Sequence, residues 1–210
     1  MSLVHSTLRL AVAAGASLSL GAAALAQESD DAEMMMAPAI GPAIGANIAE
    51  TLAAQDQTGA ERTFTDLTGY NGAVVMVSRS LDWCPFCKAQ AMQIEQRVDE
   101  IFDAGYAMVV VTTDDVDKLA RYAAQNETRM TLLADPDSEI VMALDLLDPS
   151  FAEGSRSYGL PYPTTLILSP EGEVRASLFE EELVGQNGAY RERIEAQDVI
   201  DAITMSGPES

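Results

Sequence analysis

Two continuous apolar runs dominate the chain: residues 73–77 (AVVMV) and 106–111 (YAMVVV). Apolar runs of this length without polar alternation predict strands buried on both faces of a sheet. Between them, Ile94, Val98, Ile101 and Phe102 recur at helical spacing, predicting a helix over residues 85–104 that Gly105 ends. After the second run the order continues as helix 116–126, capped by Asp114 and Asp115, then strand 130–133. Asp135-Pro136-Asp137 opens a helix reaching about residue 144, and a loop with Pro149, Gly154 and Gly159 fills 145–160. Strands 164–168 and 173–178 flank the turn Ser169-Pro170-Glu171-Gly172 and predict an antiparallel hairpin. Residues 190–203 read as a closing helix. Ahead of the first buried run, 51–55 and 62–65 read as short strands around Gly59, and 67–72 as a turn. Strands alternating with helices imply an α/β fold of three layers, a central mixed sheet with helices on both faces. No internal repeat is present.

The N-terminus has a different character. Arg9 precedes an uncharged, Ala- and Leu-rich stretch over residues 10–25, and Ala24-Leu25-Ala26 fits a small-x-small cleavage site. Residues 1–26 therefore read as a secretory signal. The alternative, an uncleaved anchor, needs a longer apolar run than this one. Residues 27–46, with Met34-Met35-Met36 and then Ala, Pro and Gly, read as a flexible linker. The domain is expected over 47–206, with 207–210 as a tail. The expected location is outside the cytoplasm, in the periplasm of a Gram-negative cell, without stable membrane insertion after cleavage.

Charge and rare residues narrow the chemistry. The formal net charge is −21, which disfavours nucleic acid and anionic lipid as partners. His5, the only histidine, lies inside the expected signal, so the mature chain has no Ser-His or Cys-His catalysis and lacks the commonest metal ligand. The two cysteines, Cys84 and Cys87, are too close in sequence to staple distant segments. A structural zinc site needs four ligands, and this chain offers one cysteine pair. No metal and no cofactor is expected; a dithiol–disulfide couple remains, against an inert buried disulfide.

Cys84 stands where a buried strand gives way to a helix, and Pro85 suits the first helical position. Cys84 is thus the expected helix cap, its thiolate favoured by unpaired backbone N–H groups and the positive end of the helix dipole. Cys87, one turn on, is placed to attack a disulfide formed at Cys84. Arg79 is a candidate for lowering the thiolate pKa, or else a solvated arginine at a strand end. Asp82 is a candidate proton-transfer group.

Trp83-Cys84-Pro85-Phe86-Cys87-Lys88 after an apolar strand resembles the active site of the thioredoxin superfamily. With Asp56-Gln57-Thr58-Gly59, Leu133-Ala134-Asp135-Pro136 and Pro163-Thr164-Thr165-Leu166, the chain resembles the redoxin branch, the alkyl hydroperoxide reductase C/thiol-specific antioxidant group, over residues 47–204. That resemblance implies a thioredoxin-like fold. It also implies a cis-proline at Pro163, with the backbone of Tyr162 holding an extended substrate, and substrate contacts at Trp83, Pro85 and Phe86. Two departures matter. Ser78 occupies the place of the buried aspartate of thioredoxins, and Leu81, three before Cys84, replaces the hydroxyl residue of peroxiredoxins.

The residues therefore favour a thiol–disulfide oxidoreductase with an antioxidant or redox-homeostasis role, acting on protein or small-molecule disulfides. A thiol protein would serve as electron donor or acceptor. The Pro-Phe pair resembles that of glutaredoxins and implies a potential on the order of −200 mV. The alternative is a peroxiredoxin-like thiol peroxidase. A third reading, copper handling through Met34, Met35, Met36 and the two thiols, lacks the wider cysteine spacing and the histidine of copper chaperones of this fold.

Overall fold

The computed structural model describes residues 40–206. The expected signal, Met34 to Met36 and the 207–210 tail lie outside the described residues. Residues 40–46 do not behave as a linker. Gly41 N–H donates to Asp145 O at 2.8 Å, Gly45 N–H to Val174 O at 2.8 Å, and Val174 N–H to Ala46 O at 2.9 Å, so this stretch is hydrogen-bonded to the body of the fold.

Ala54–Gln55 (β1) and Glu61–Arg62 (β2) pair antiparallel around Gly59. The strand expected over 62–65 ends at Arg62, and Phe64–Leu67 form a short helix (α1) instead. Thr63 and Asp66 form a reciprocal capping box, and Phe64 and Leu67 turn inward together. Gly72–Val77 (β3) is fully buried. Pro85–Glu95 (α2) and Val98–Asp103 (α3) replace the single helix expected over 85–104. Arg97, at φ −117° and ψ 10°, leaves helical geometry and breaks the run. The break lets Ile94, Val98 and Ile101 all reach the core while Phe102 faces outward, beneath the Arg129 guanidinium.

Tyr106–Thr112 (β4), Val116–Asn126 (α4), Thr131–Ala134 (β5) and Glu139–Ala143 (α5) follow. The last begins later than its sequence suggests. Asp135 accepts from the N–H groups of Ile140 and Val141, both at 3.1 Å, and so supplies the helix start with partners from upstream. Thr164–Leu168 (β6) and Val174–Leu178 (β7) form the expected hairpin. The closing helix, Ala196–Met205 (α6), starts six residues after Tyr190; the Glu195–Asp198 capping box sets its origin.

The sheet order is β5-β4-β3-β6-β7, with β3 parallel to β4 and antiparallel to β6. Alternation along β3 divides the core. Val74 and Met76 face Ile94, Ile101, Leu119 and Val199; Ala73, Val75 and Val77 face Leu52, Phe64, Leu67 and Val141. Helices therefore cover both faces of a mixed sheet, as expected. At Gly72 strand β3 leaves no room for a side chain against β6: a Cβ there would lie 1.8 Å from Leu168 O, at φ +124°. Among the described residues no helix is long and apolar enough to cross a membrane.

Candidate active site

Strand β3 delivers the chain to the site through residues 78–83, a loop whose shape depends on Asp114. This carboxylate, expected to cap α4, turns inward. It accepts from Ser80 Oγ at 2.7 Å, Leu81 N–H at 2.6 Å and Thr112 Oγ1 at 3.1 Å. Ser80 Oγ in turn accepts from the N–H groups of Asp82 and Trp83, at 3.0 and 3.1 Å. Asp114 and Ser80 thus fix the turn that presents Cys84.

Cys84 is the N-cap of α2, with φ −88° and ψ 108°, and Pro85 follows in the first turn. Its sulfur accepts from Cys87 N–H at 3.2 Å, the geometry of a capping acceptor. The two cysteines form a disulfide with Cα atoms 5.3 Å apart. Both are buried, Cys84 at 2% and Cys87 at 0% exposure, beneath Trp83 at 52% and Phe86 at 38%. Two aromatic side chains thus border the pair with much of their surface free. Asp82 is exposed; its carbonyl accepts from Lys88 Nζ at 2.9 Å.

Arg79 is not a solvated strand-end residue. It is 3% exposed, and its Nη2 meets Asp148 Oδ2 at 2.5 Å. Its Nε donates to Pro161 O at 3.4 Å, and its guanidinium lies 3.9 Å from the Tyr190 ring centre and 5.0 Å from that of Phe151. Burial holds its pKa below the ordinary arginine value, with Asp148 opposing that shift. Tyr190 also meets Phe86 edge-on at 6.4 Å, linking this cluster to the residue between the cysteines.

A second arginine completes the site. Arg193 Nη2 lies 3.6 Å from Cys87 Sγ, while Nη1 donates to the carbonyls of Tyr190 and Glu192. Its pKa is pushed down to about 10, first by burial and then by the charge of Arg79. Asp114, Asp148, Tyr190 and Arg193 carry no local sequence signal for these roles. Each comes from a segment distant in sequence from the cysteine motif.

Pro163 follows a trans bond, since the described residues contain no cis peptide. The trans form is also the intrinsic preference of an X–Pro bond, by about 0.5–1 kcal/mol. The backbone of Tyr162 already has partners within the fold. Its N–H donates to Leu146 O at 2.8 Å, and its carbonyl accepts from Thr164 Oγ1 at 3.1 Å. The side chain is 1% exposed, and its hydroxyl donates to Glu180 O at 2.8 Å. Burial, then Asp148 and Glu180, push that phenol up to about 12. Ser78 Oγ is buried without a partner.

A groove of about 230 Å³ runs beside α2, lined by Phe86, Gln90, Gln93, Arg191 and Arg193 among others. A larger groove, about 460 Å³ and lined by acids such as Asp115, Asp135 and Asp137, contains neither cysteine.

A family model described as the AhpC/TSA family matches residues 45–177. The chain belongs to the AhpC/TSA family. Peroxiredoxin Bcp of Escherichia coli (strain K12) is 29% identical over 99 residues, covering 47% of this chain and 62% of that protein. 1-Cys peroxiredoxin A of Oryza sativa subsp. japonica is 23% identical over 121 residues, 54% of each chain. The matched regions thus span less than two thirds of these relatives. Among solved structures, peroxidoxin BcpB from Mycobacterium tuberculosis superposes with a TM-score of 0.59 at 19% identity, covering 80% of this chain and 98% of that one. Peroxiredoxin 6 of Arenicola marina gives 0.62 at 16%, covering 78% and 73%. At these identities the superpositions show the fold alone.

Proposed function

We propose that the protein is a thiol peroxidase working through the Cys84–Cys87 couple. The observation that carries this reading is Cys84 at the helix cap with Cys87 in disulfide contact, within a fold whose similar proteins are peroxiredoxins. The Cys84 thiolate attacks the terminal oxygen of a hydroperoxide; the O–O bond breaks, sulfur takes the hydroxyl as a sulfenic acid, and the alcohol or water leaves with a proton. Cys87 then displaces that hydroxyl, forming the disulfide and water. An external dithiol restores both thiols and leaves oxidised. Stopped-flow mixing of reduced protein with hydrogen peroxide tests this. Cys84→Ser is expected to abolish consumption, and Cys87→Ser to stop after one turnover with Cys84 held as the sulfenic acid. A wild-type rate no faster than free cysteine would remove the proposal.

A second reading, disulfide exchange, is favoured by two observations. Leu81 stands where a hydroxyl would polarise peroxide, and the Ser80 hydroxyl is committed to Asp114. The exposed Trp83 and Phe86 then border a docking surface for a disulfide-bearing chain. The same reduced protein, mixed with a model disulfide instead of peroxide, separates the two. We place the activity outside the cytoplasm, in the periplasm, supported by Arg9, the apolar stretch over 10–25 and Ala24-Leu25-Ala26. N-terminal sequencing of the protein from a periplasmic fraction, expected to begin at Gln27, checks the location.

A further inference from the structure

The Arg193 guanidinium lies against the cysteine pair, and the Arg79 guanidinium and the buried Asp148 carboxylate are close enough to act on it. Asp148 is taken by Arg79. The acidic neighbour on Arg193's own segment, Glu192, is exposed. Tyr162, packed alongside, stays a neutral phenol, since its pKa is pushed up to about 12. Tyr190 presents its ring to Arg79. Arg193 Nε is buried without any hydrogen-bond partner, while Nη2 points at Cys87 Sγ at 3.6 Å. A half-buried cation with no carboxylate bonded to it is costly, and the Cys87 sulfur, within reach of Nη2, can become an anion once the disulfide opens.

We infer that Arg193 holds Cys87 as a thiolate in the reduced protein and so drives closure of the disulfide. This rests on the Cys84–Cys87 couple proposed above and adds a role to it. A thiol as buried as Cys87 ordinarily has a raised pKa and resolves slowly. Opposite Arg193 the proton is already gone. The thiolate attacks the Cys84 sulfenic sulfur, the S–S bond forms as the S–O bond breaks, and the departing hydroxide recovers from solvent the proton that Cys87 released on ionising, leaving as water. Arg193 thus acts at the second step, in contact with the attacking atom. Cys84 relies on the helix cap instead.

The test uses the full chain with Cys84→Ser, so that Cys87 is the one thiol, and follows thiolate absorbance near 240 nm against pH. With Arg193 present, Cys87 is expected to titrate well below the free-cysteine value of about 8.5. In Cys84→Ser/Arg193→Met the midpoint rises enough to cut the thiolate fraction at neutral pH at least tenfold. Identical curves overturn the inference. Should the Met variant not fold, Arg193→Gln, which keeps an amide donor, is read in the same way. With both cysteines present, Arg193→Met treated with excess hydrogen peroxide is expected to show at least fivefold more Cys84 sulfinic acid by mass spectrometry, because the sulfenic acid waits longer. No increase overturns the role in closure. If no variant consumes peroxide at all, the peroxidase reading fails while the titration still decides what Arg193 does.

Discussion

Replacing Asp114 with alanine tests whether one buried carboxylate shapes the approach to Cys84. The side chain is 1% exposed and accepts from Ser80 Oγ, Leu81 N–H and Thr112 Oγ1. A hydrogen bond to a charged group contributes about 1.5–3 kcal/mol net, and an orphaned buried donor costs about 1–3 kcal/mol. The three bonds share one acceptor, so they do not add in full, and the expected loss is about 3–5 kcal/mol. Asp114→Asn keeps the shape and one carbonyl acceptor but turns an NH₂ toward a donor; about 2 kcal/mol is expected there. Against a usual total of about 5–15 kcal/mol, the alanine variant approaches unfolding. Urea titration of the oxidised proteins reads both losses. The consequence reaches the cysteine because Ser80 Oγ also receives Asp82 N–H and Trp83 N–H. With Ser80 untethered, the turn into α2 loosens and thiolate stabilisation at Cys84 weakens. Alkylation of the reduced Asn variant at neutral pH is therefore expected to slow severalfold. A stability loss below about 1 kcal/mol in Asp114→Ala, with unchanged alkylation, would refute this account.

Three further outcomes follow from the same geometry. Asp148→Ala leaves the Arg79 guanidinium buried and unpaired and is expected to cost about 3–5 kcal/mol in urea, whereas Arg79→Met with Asp148→Leu recovers most of it; equal losses in the single and double variants would count against the pair. The Tyr162 phenol, raised from 10.0 to about 12, stays protonated in the folded chain after the unfolded chain has ionised. Its contribution is intact below pH 10 and disappears as pH rises through 12, amounting to at most about 2.7 kcal/mol at 1.36 per pH unit; Tyr162→Phe is expected to lose this part of the alkaline decline, seen as the difference between the two urea–pH curves. Gly72→Ala places a methyl group 1.8 Å from Leu168 O and is expected to prevent folding, giving no cooperative thermal transition.

Local patterns made the frame of this protein readable. The apolar runs of β3 and β4 have no other reasonable home than the middle of a sheet, and both are buried there. Cys84 as helix cap was readable because strand end, proline and helical period meet within a few residues. The break at Arg97 was not, since the apolar spacing continues across it and only tertiary packing turns Phe102 outward. Asp114 looked like a cap because it precedes α4; two of its three bonds cross to residues more than thirty positions earlier. The partner of Arg79 was equally hidden. A buried arginine demands a carboxylate, and in a chain with 33 acidic residues nothing local singles out Asp148.

The late start of α6 shows how that hidden part fits the readable one. A helix beginning at Tyr190 would direct its unpaired N–H groups and positive dipole end toward a region already holding the guanidinium of Arg79. Beginning at Ala196, with Glu195 and Asp198 closing the first turn, the positive end meets carboxylates instead. The residues released from the helix form a turn opened by Gly188, at φ +88°, and then run extended from Glu192 at ψ 144°. This path lays Tyr190 over Arg79 and brings Arg193 to Cys87. The irregular segment is thus what lets Arg193 reach Cys87 alongside Arg79 without a helix terminus adding to their repulsion. The electrostatics of the site and the boundary of the last helix are one physical choice.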